Sequence, residues 1–336
     1  MATATATTDV RSDSDPILIA AVEGGGTSFV VAVADVSDGN VQILISKEVV
    51  TSNDNPNQTL AECASFFEQH KPDGGYHALG IASFGPVGVN DKKPVTYGSI
   101  LATTPKAAWR NTSLINPLRK ACEGPKRTLK VKIDTDVNAP ALAEFLVTQE
   151  DISSLAYITC GTGVGVGLVI HGKCVHGRMH PEAGHVPVKP LEGDGFQGYS
   201  WGASKSPFLG VHTVEGIASS VALTERLQQM QGSEELNRSV LSELPDDHEL
   251  WDHAANALAN LCVTLLLTVS IEKIVLGGGV LKRCGLMEKI RERTVTLLNG
   301  YLELPDDMST LICSPHYGDT VGIMGAIILA KQCLEN

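Results

Sequence analysis

The chain reads as an α/β protein built from two similar halves, and three observations carry that reading. Apolar runs suited to strands alternate with helical segments along the length, which indicates sheets covered on both faces. Two strand–glycine turn–strand units, at Gly24–Thr27 and Gly161–Gly165, recur a domain's length apart and suggest an internal repeat. At 336 residues the chain exceeds one typical core, so two domains of about 150 residues each are expected.

Residues 1–15 are rich in Ala, Thr, Ser and Asp. They lack the apolar stretch of a signal peptide and the Arg content of a transit peptide, and are expected to form a disordered tail. The continuous apolar run 16–22 predicts a buried strand, and after Gly24-Gly-Gly26-Thr27 the run 29–36 predicts a second. Because a strand and not a helix follows the glycines, and no GK[ST] is present, neither a P-loop nor a Rossmann fingerprint is met. A helix over 58–69, a strand over 78–83, a loop opened by Gly85-Pro86 and a strand over 129–133 come next. The last leads into Asp134-Thr-Asp136-Val-Asn138 and a helix with Pro140 near its first turn.

The second glycine hairpin spans 155–170, and 172–210 is dense in Gly, Pro, His and Ser, as functional loops are. Helices are expected over 215–231 and 250–270, a strand over 272–276, a third glycine turn at Gly277-Gly-Gly279, and a closing helix over 319–333. The longest apolar stretch, 261–269, is broken by Thr264 and Thr268; it is too short to cross a bilayer and reads as a buried helix.

A net charge of −12 argues against nucleic acid as a partner, since phosphate backbones call for clustered Lys and Arg. The eight cysteines form no CxxC pair, which fits reduced thiols and a cytoplasmic setting better than a disulfide framework. With no spanning segment, no membrane partner is expected. A small anion held by backbone amides fits instead: a glycine turn after a buried strand lets main-chain N–H groups approach a phosphate. One such turn is an ordinary hairpin; three of them point to a nucleotide, with Thr27 and Thr162 adding hydroxyl donors. Glu23, at the end of the first strand, suits indirect Mg²⁺ binding through water, or is simply a solvated strand-end acid.

The motifs Val22-Glu-Gly-Gly-Gly-Thr27, Gly80-Ile-Ala-Ser-Phe-Gly-Pro86, Tyr97-Gly-Ser99, Thr103-Thr-Pro-Lys106 with Trp109, Thr135-Asp-Val-Asn138, Gly161-Thr-Gly163 and His180-Pro-Glu-Ala-Gly-His185 stand in one order along the chain. Glu215-Gly216, Gly277-Gly-Gly279 and Gly318-Asp-Thr-Val-Gly322 complete the set. This pattern resembles the ROK family of bacterial-type sugar kinases and covers nearly everything after residue 16. Glu23 in place of Asp and the Thr-Pro-Lys and Trp loop resemble its fructokinase branch.

The resemblance implies a two-domain actin-like ATPase (ribonuclease-H-like) fold with an interdomain cleft. Residues 16–138, completed by the C-terminal helix 321–336, would form one actin-like domain and 139–320 the other. It implies ATP and Mg²⁺ as cofactors, a small-molecule sugar as substrate, and phosphorylation of a hexose hydroxyl, fructose to fructose 6-phosphate being favoured. Mannose, glucose, an N-acetylhexosamine or a non-catalytic sugar sensor stand as alternatives, and a homodimer is compatible.

By that resemblance Asp136 is the general base, although Asp136 or, more naturally, Asn138 could instead cap the following helix. Gly25, Gly26, Thr27, Gly161, Thr162 and Gly163 would face the ATP phosphates, and Gly278 and Gly279 the adenosine. Gly85, Thr103, Glu182, His185 and Glu215 would line the sugar, with Lys106 shaping the same wall. Glu182 and Glu215 are thus expected on the sugar side, apart from the Gly24 and Gly161 turns. For His185 a satisfied core histidine is the bland alternative, and for Glu215 a helix-start acid. Two departures stand out. Relatives bind a structural zinc through the His185 position and a nearby Cys or His cluster, but 193–214 holds no Cys and only His212, so zinc is not expected. Ser28 stands where relatives often carry Lys.

Overall fold

The computed structural model describes residues 16–37, 39–201, 206–232 and 236–335; the expected tail 1–15 and Asn336 lie outside them. Among the described residues, ten strands form two five-stranded sheets. The first half supplies β1 (Leu18–Gly24), β2 (Ser28–Asp35), β3 (Gln42–Val50), α1 (Pro56–Gln69), β4 (Ala78–Ser83), α2 (Ile115–Cys122) and β5 (Lys130–Thr135). Helix α3 (Asn138–Val147) leads into β6 (Ser154–Cys160), β7 (Val164–Ile170) and β8 (Lys173–Cys174). Then come α4 (Val214–Ala218), α5 (Ser220–Gln231), α6 (Val240–Glu243), α7 (Leu250–Val269), β9 (Lys273–Gly277), α8 (Leu286–Leu298), α9 (Met308–Leu311), β10 (Ile312–Cys313) and α10 (Val321–Glu335).

The sheet orders β3-β2-β1-β4-β5 and β8-β7-β6-β9-β10 are the same topology twice over. In each, an antiparallel glycine hairpin is followed by two strands added in parallel on its other side. Helices α3 and α10 lie between the sheets and share one apolar core with Ile19 and Ala21 of the first and Leu155, Tyr157 and Val275 of the second. The last helix of the chain therefore packs on its first strand.

The sequence reading held no expectation for α2, α6, α8, α9, β8 or β10, and it differs from the structure in three further places. Strand β3 was not anticipated because it is an edge strand whose residues are largely exposed, with Val49 alone buried, so it carries no core-facing alternation. The expected single helix 215–231 is two helices broken at Ser219, whose extended backbone (φ −62°, ψ 152°) lets its hydroxyl cap α5 by accepting the Ala222 amide. Asn138 lies inside the first turn of α3 and not at its cap. Its amide donates to the Thr135 hydroxyl at 2.9 Å, and its side chain bridges outward, donating to Asp134 Oδ1 at 2.9 Å and accepting the Leu168 amide at 3.2 Å. Helix α7 runs 20 residues, long and apolar enough by composition to span a bilayer. It instead buries Trp251, Leu258, Leu261 and Leu265 in the second core, as the helix of a folded domain does.

Candidate active site

Glycine turns at three strand ends build the site. In the first, the Gly25 amide donates to Ser28 O at 2.9 Å, and the turn is held from behind by the residue that follows β3. The Thr51 hydroxyl donates to Gly25 O and the Thr51 amide to Thr27 O, each at 3.0 Å. Gly25, Gly26 and Thr27 remain open to solvent in part. In the second turn, the Gly161 amide donates to Gly163 O at 2.9 Å, and the Ser220 amide at the head of α5 donates to Gly161 O at 2.7 Å. In the third, Gly278 has φ 96°, and a Cβ there would stand 2.5 Å from Cys160 O. Only glycine satisfies both that backbone and that contact, so Gly278 locks β9 against the strand leading into the second turn.

A cavity of about 560 Å³ opens between the first two turns, well within the range of small-molecule sites. Gly26, Thr27, Asn53 and Lys106 line it from one half, and Thr162, Tyr199, Trp201, Gln228 and Arg238 from the other. Gly278 and Gly279 are not among its lining residues.

Carboxylates gather beside these turns. Asp136 follows β5, its amide donating to Ser83 O at 2.9 Å, and sits deep in the cleft while still reached by solvent. Loss of water around it pushes its pKa up to about 7, against the lowering effect of its own amide. Glu23 is pushed up to about 7 by burial first and by the negative charge of Asp136 second. Its carboxylate lies against Gly322, where any Cβ would collide with it, and it accepts the Ile323 amide at the head of α10. It is thus a packed, amide-bound acid and not a freely solvated one. Glu182 is also pushed up to about 7, by burial and then by Asp136 and Glu215, although its side chain faces the open cleft.

Glu215 stands on the second turn itself. Its Oε2 accepts the Val164 amide at 2.9 Å, while Oε1 lies 3.9 Å from His185 Nδ1. Burial raises its pKa, and His185, the Val164 amide and Trp201 oppose that rise. One oxygen of Glu215 thus serves the turn and the other faces His185, which itself lies 3.9 Å from Glu182 Oε2. Thr103 is exposed, and its buried neighbour Thr104 makes the contact instead, donating from its hydroxyl to Gly85 O at 3.1 Å.

Several polar groups at the site escaped sequence reading. Lys106, expected to shape the sugar wall, also reaches the first turn, its Cε 3.8 Å from where a Cβ of Gly26 would stand and its Nζ donating to Asn53 Oδ1 at 2.8 Å. Arg238 Nη1 donates to the Thr162 hydroxyl at 2.9 Å. Asp134, fully enclosed, accepts from the Thr135 amide, from Asn138 and from His176 Nε2, whose pKa its hydrogen bond raises. The doubled Asp of Asp134-Thr-Asp136 was the available signal for this last group: one carboxylate faces the cleft while the other braces it. Nothing in the local sequence marks Arg238.

The profile of the ROK family matches residues 19–333. A putative fructokinase of Bacillus subtilis is 34% identical over 322 residues, covering 95% of this chain and 97% of that protein. The fructokinase of Zymomonas mobilis is 35% identical over 321 residues, covering 94% and 97%. Among solved structures, a ROK family glucokinase from Streptomyces griseus in complex with glucose and AMPPNP superposes with a TM-score of 0.69 at 23% identity, covering 94% of this chain and 99% of that one.

Proposed function

The chain belongs to the ROK family, and from that premise we propose that it is an ATP-dependent hexose kinase that converts fructose to fructose 6-phosphate. Its cleft lies between residues 16–138, completed by α10, and residues 139–320. The observation that carries the reading is a buried carboxylate, Asp136, at the end of β5 and close enough to Glu23 at the first turn to act on its charge, with two glycine turns facing one cavity that Asp136 itself does not line. The fructokinase relatives direct it to fructose.

In the transfer, the sugar hydroxyl oxygen forms a bond to the γ-phosphorus as its proton passes to Asp136, and the bond to the ADP oxygen breaks. A base with a pKa near the working pH is suited to this. Gly26, Thr27, Thr162 and Gly163 present amides and hydroxyls to the phosphates, Gly25 and Gly161 close the two turns with their own amides, and Gly278 and Gly279 hold the adenosine side through β9. Glu182, His185 and Glu215 orient the sugar, with Gly85 and the Thr103–Thr104 segment closing the wall.

The unneutralised Glu23–Asp136 repulsion fits a divalent cation held beside them through water. Mg²⁺ supplies charge neutralisation on the phosphate oxygens when bound. Among the described residues no group of three or more His, Cys, Asp or Glu stands together as a metal site, and no step is derived through zinc. The eight cysteines are all free thiols, which supports a reducing, cytoplasmic setting.

A coupled ADP-release assay over fructose, mannose, glucose and N-acetylhexosamines tests the proposal. Fructose is expected to give the highest kcat/KM; a different leading sugar reassigns the substrate, and no turnover with any of them overturns the kinase reading. Lys106 and Arg238 bring positive charge to the two turns from opposite halves, Lys106 doing so where Ser28 has none. Lys106→Met and Arg238→Met are each expected to raise the KM for ATP about tenfold, the scale of one lost charge-assisted hydrogen bond. The KM for fructose should hold within twofold; equal rises in both constants would remove these residues from phosphate binding.

A further inference from the structure

The His180-Pro-Glu-Ala-Gly-His185 motif contains one histidine without an assigned role. The His180 side chain is only 3% exposed, yet both ring nitrogens have partners. Nε2 lies 3.2 Å from the Val87 amide, and because an amide can only donate, Nε2 carries no proton. The proton is then on Nδ1, which donates to Pro181 O at 3.3 Å and has Glu182 Oε1 3.4 Å away, near enough for the same proton to be shared with it. Burial lowers the pKa of the ring and keeps it in this neutral form.

The ring also forms a seat for the loop after β4. A Cβ on Gly85 would stand 3.2 Å from His180 Cε1, so glycine lets the loop lie flat on the imidazole. That loop is fixed on its far side, where Thr104 donates to Gly85 O and the Leu101 amide to Pro86 O at 2.7 Å. His180 therefore stands between a braced segment of the first half and a cleft carboxylate of the second.

We propose that His180 is a positioning residue for the sugar: its Nδ1–H holds Glu182 in the orientation that receives the sugar hydroxyls, and its Nε2 ties that orientation to the Val87 loop. The inference rests on the reading of the cleft as a hexose site. Removing the ring leaves Glu182 free to turn towards solvent and away from the sugar, and fructose binding weakens without a matching loss in ATP.

Three variants test it. His180→Asn can keep a donor near the Nδ1 position, His180→Gln can keep an acceptor near Nε2, and His180→Ala keeps neither. Fructose affinity by calorimetry, KM for fructose and for ATP, and melting temperature are measured on each. His180→Ala is expected to weaken fructose binding about tenfold and to leave the KM for ATP within twofold, with His180→Asn recovering most of the loss and His180→Gln little of it. Fructose affinity of His180→Ala within twofold of the wild type overturns the inference, as does an equal loss in ATP. If His180→Ala does not fold, the Asn and Gln variants decide, and equal fructose affinity in those two overturns it. A wild type that binds fructose without turnover would fail the kinase reading while the variant affinities still decide this one. A wild type that binds no hexose overturns both.

Discussion

Asp136→Asn is expected to bind fructose nearly as the wild type does and to lose a factor of about 10² or more in kcat, the usual scale for a positioned base. The substitution keeps the shape and removes the proton acceptor. Near-normal turnover would show that Asp136 only positions the substrate. The pH dependence carries a second signature. With the carboxyl raised to about 7, the wild-type rate should climb as pH rises through that value, because only the ionised form accepts a proton. That acid limb should vanish in Asp136→Asn. Glu23 and Glu182 titrate in the same range and repel Asp136, so the observed midpoint belongs to the group.

The same shifts fix a sign for stability. Each of these carboxyls binds its proton more tightly in the folded state than in the unfolded chain, so between about pH 4.5 and 7 the folded protein holds more protons. Their stabilising contribution is complete below that window and is lost as pH rises through about 7. The ligand-free protein should therefore melt lower at pH 8 than at pH 6 on this account, and Asp136→Asn should reduce the difference. A melting temperature that rises across that interval with no change in the variant would contradict the electrostatic picture of the cleft.

Asp194→Asn is expected to give the largest loss of stability. Asp194 lies in the loop between β8 and α4, its side chain 4% exposed, and pairs with both terminal nitrogens of Arg226 on α5 at 2.8 and 2.7 Å. Burial works against its charge, but Arg226, the Phe196 amide and His253 together hold its pKa below the usual carboxylate range. His253 Nδ1 stands 3.1 Å from Asp194 Oδ2, and the Arg226 guanidinium stacks over Phe196 with its carbon 4.5 Å from the ring centroid. The group fixes the loop that seats Phe196 in the second core and carries Tyr199 and Trp201 to the cavity.

Removing one partner of a buried ion pair leaves an uncompensated charge and costs about 3–5 kcal/mol. For a domain of 150–250 residues this corresponds to a melting temperature lower by roughly 6–20 °C. The double variant Asp194→Asn with Arg226→Met should be less destabilised than the two single losses combined, since no charge is then stranded. A single variant melting within about a degree of the wild type would show that this network carries no stability. The loss should also grow smaller at low pH, because a depressed carboxyl contributes its stability above its unfolded pKa and forfeits it as pH falls through the folded one.

The sequence by itself determined the elements whose signals are local. Buried strands announce themselves as apolar runs, as 16–22 and 155–160 do, and the glycines that follow mark where a chain must turn tightly or approach a ligand. The repeat was legible because both hairpins obey the same constraint, whereas Asp136 was singled out by the family resemblance and by its place at the end of a strand. Strand β3 was not legible, since an exposed edge strand needs no apolar face, yet Thr51 just beyond it holds the first turn in place.

Tertiary structure alone decided which charges meet. Glu215 on the Val164 amide, Lys106 above Gly26, Arg238 at Thr162 and Asp194 between Arg226 and His253 all join groups dozens of residues apart or on separate elements. Their proximity follows from how two sheets pack around α3 and α10, and no propensity or spacing encodes it. A polar side chain finds its partner only after the apolar core has fixed the distance between the elements that carry them.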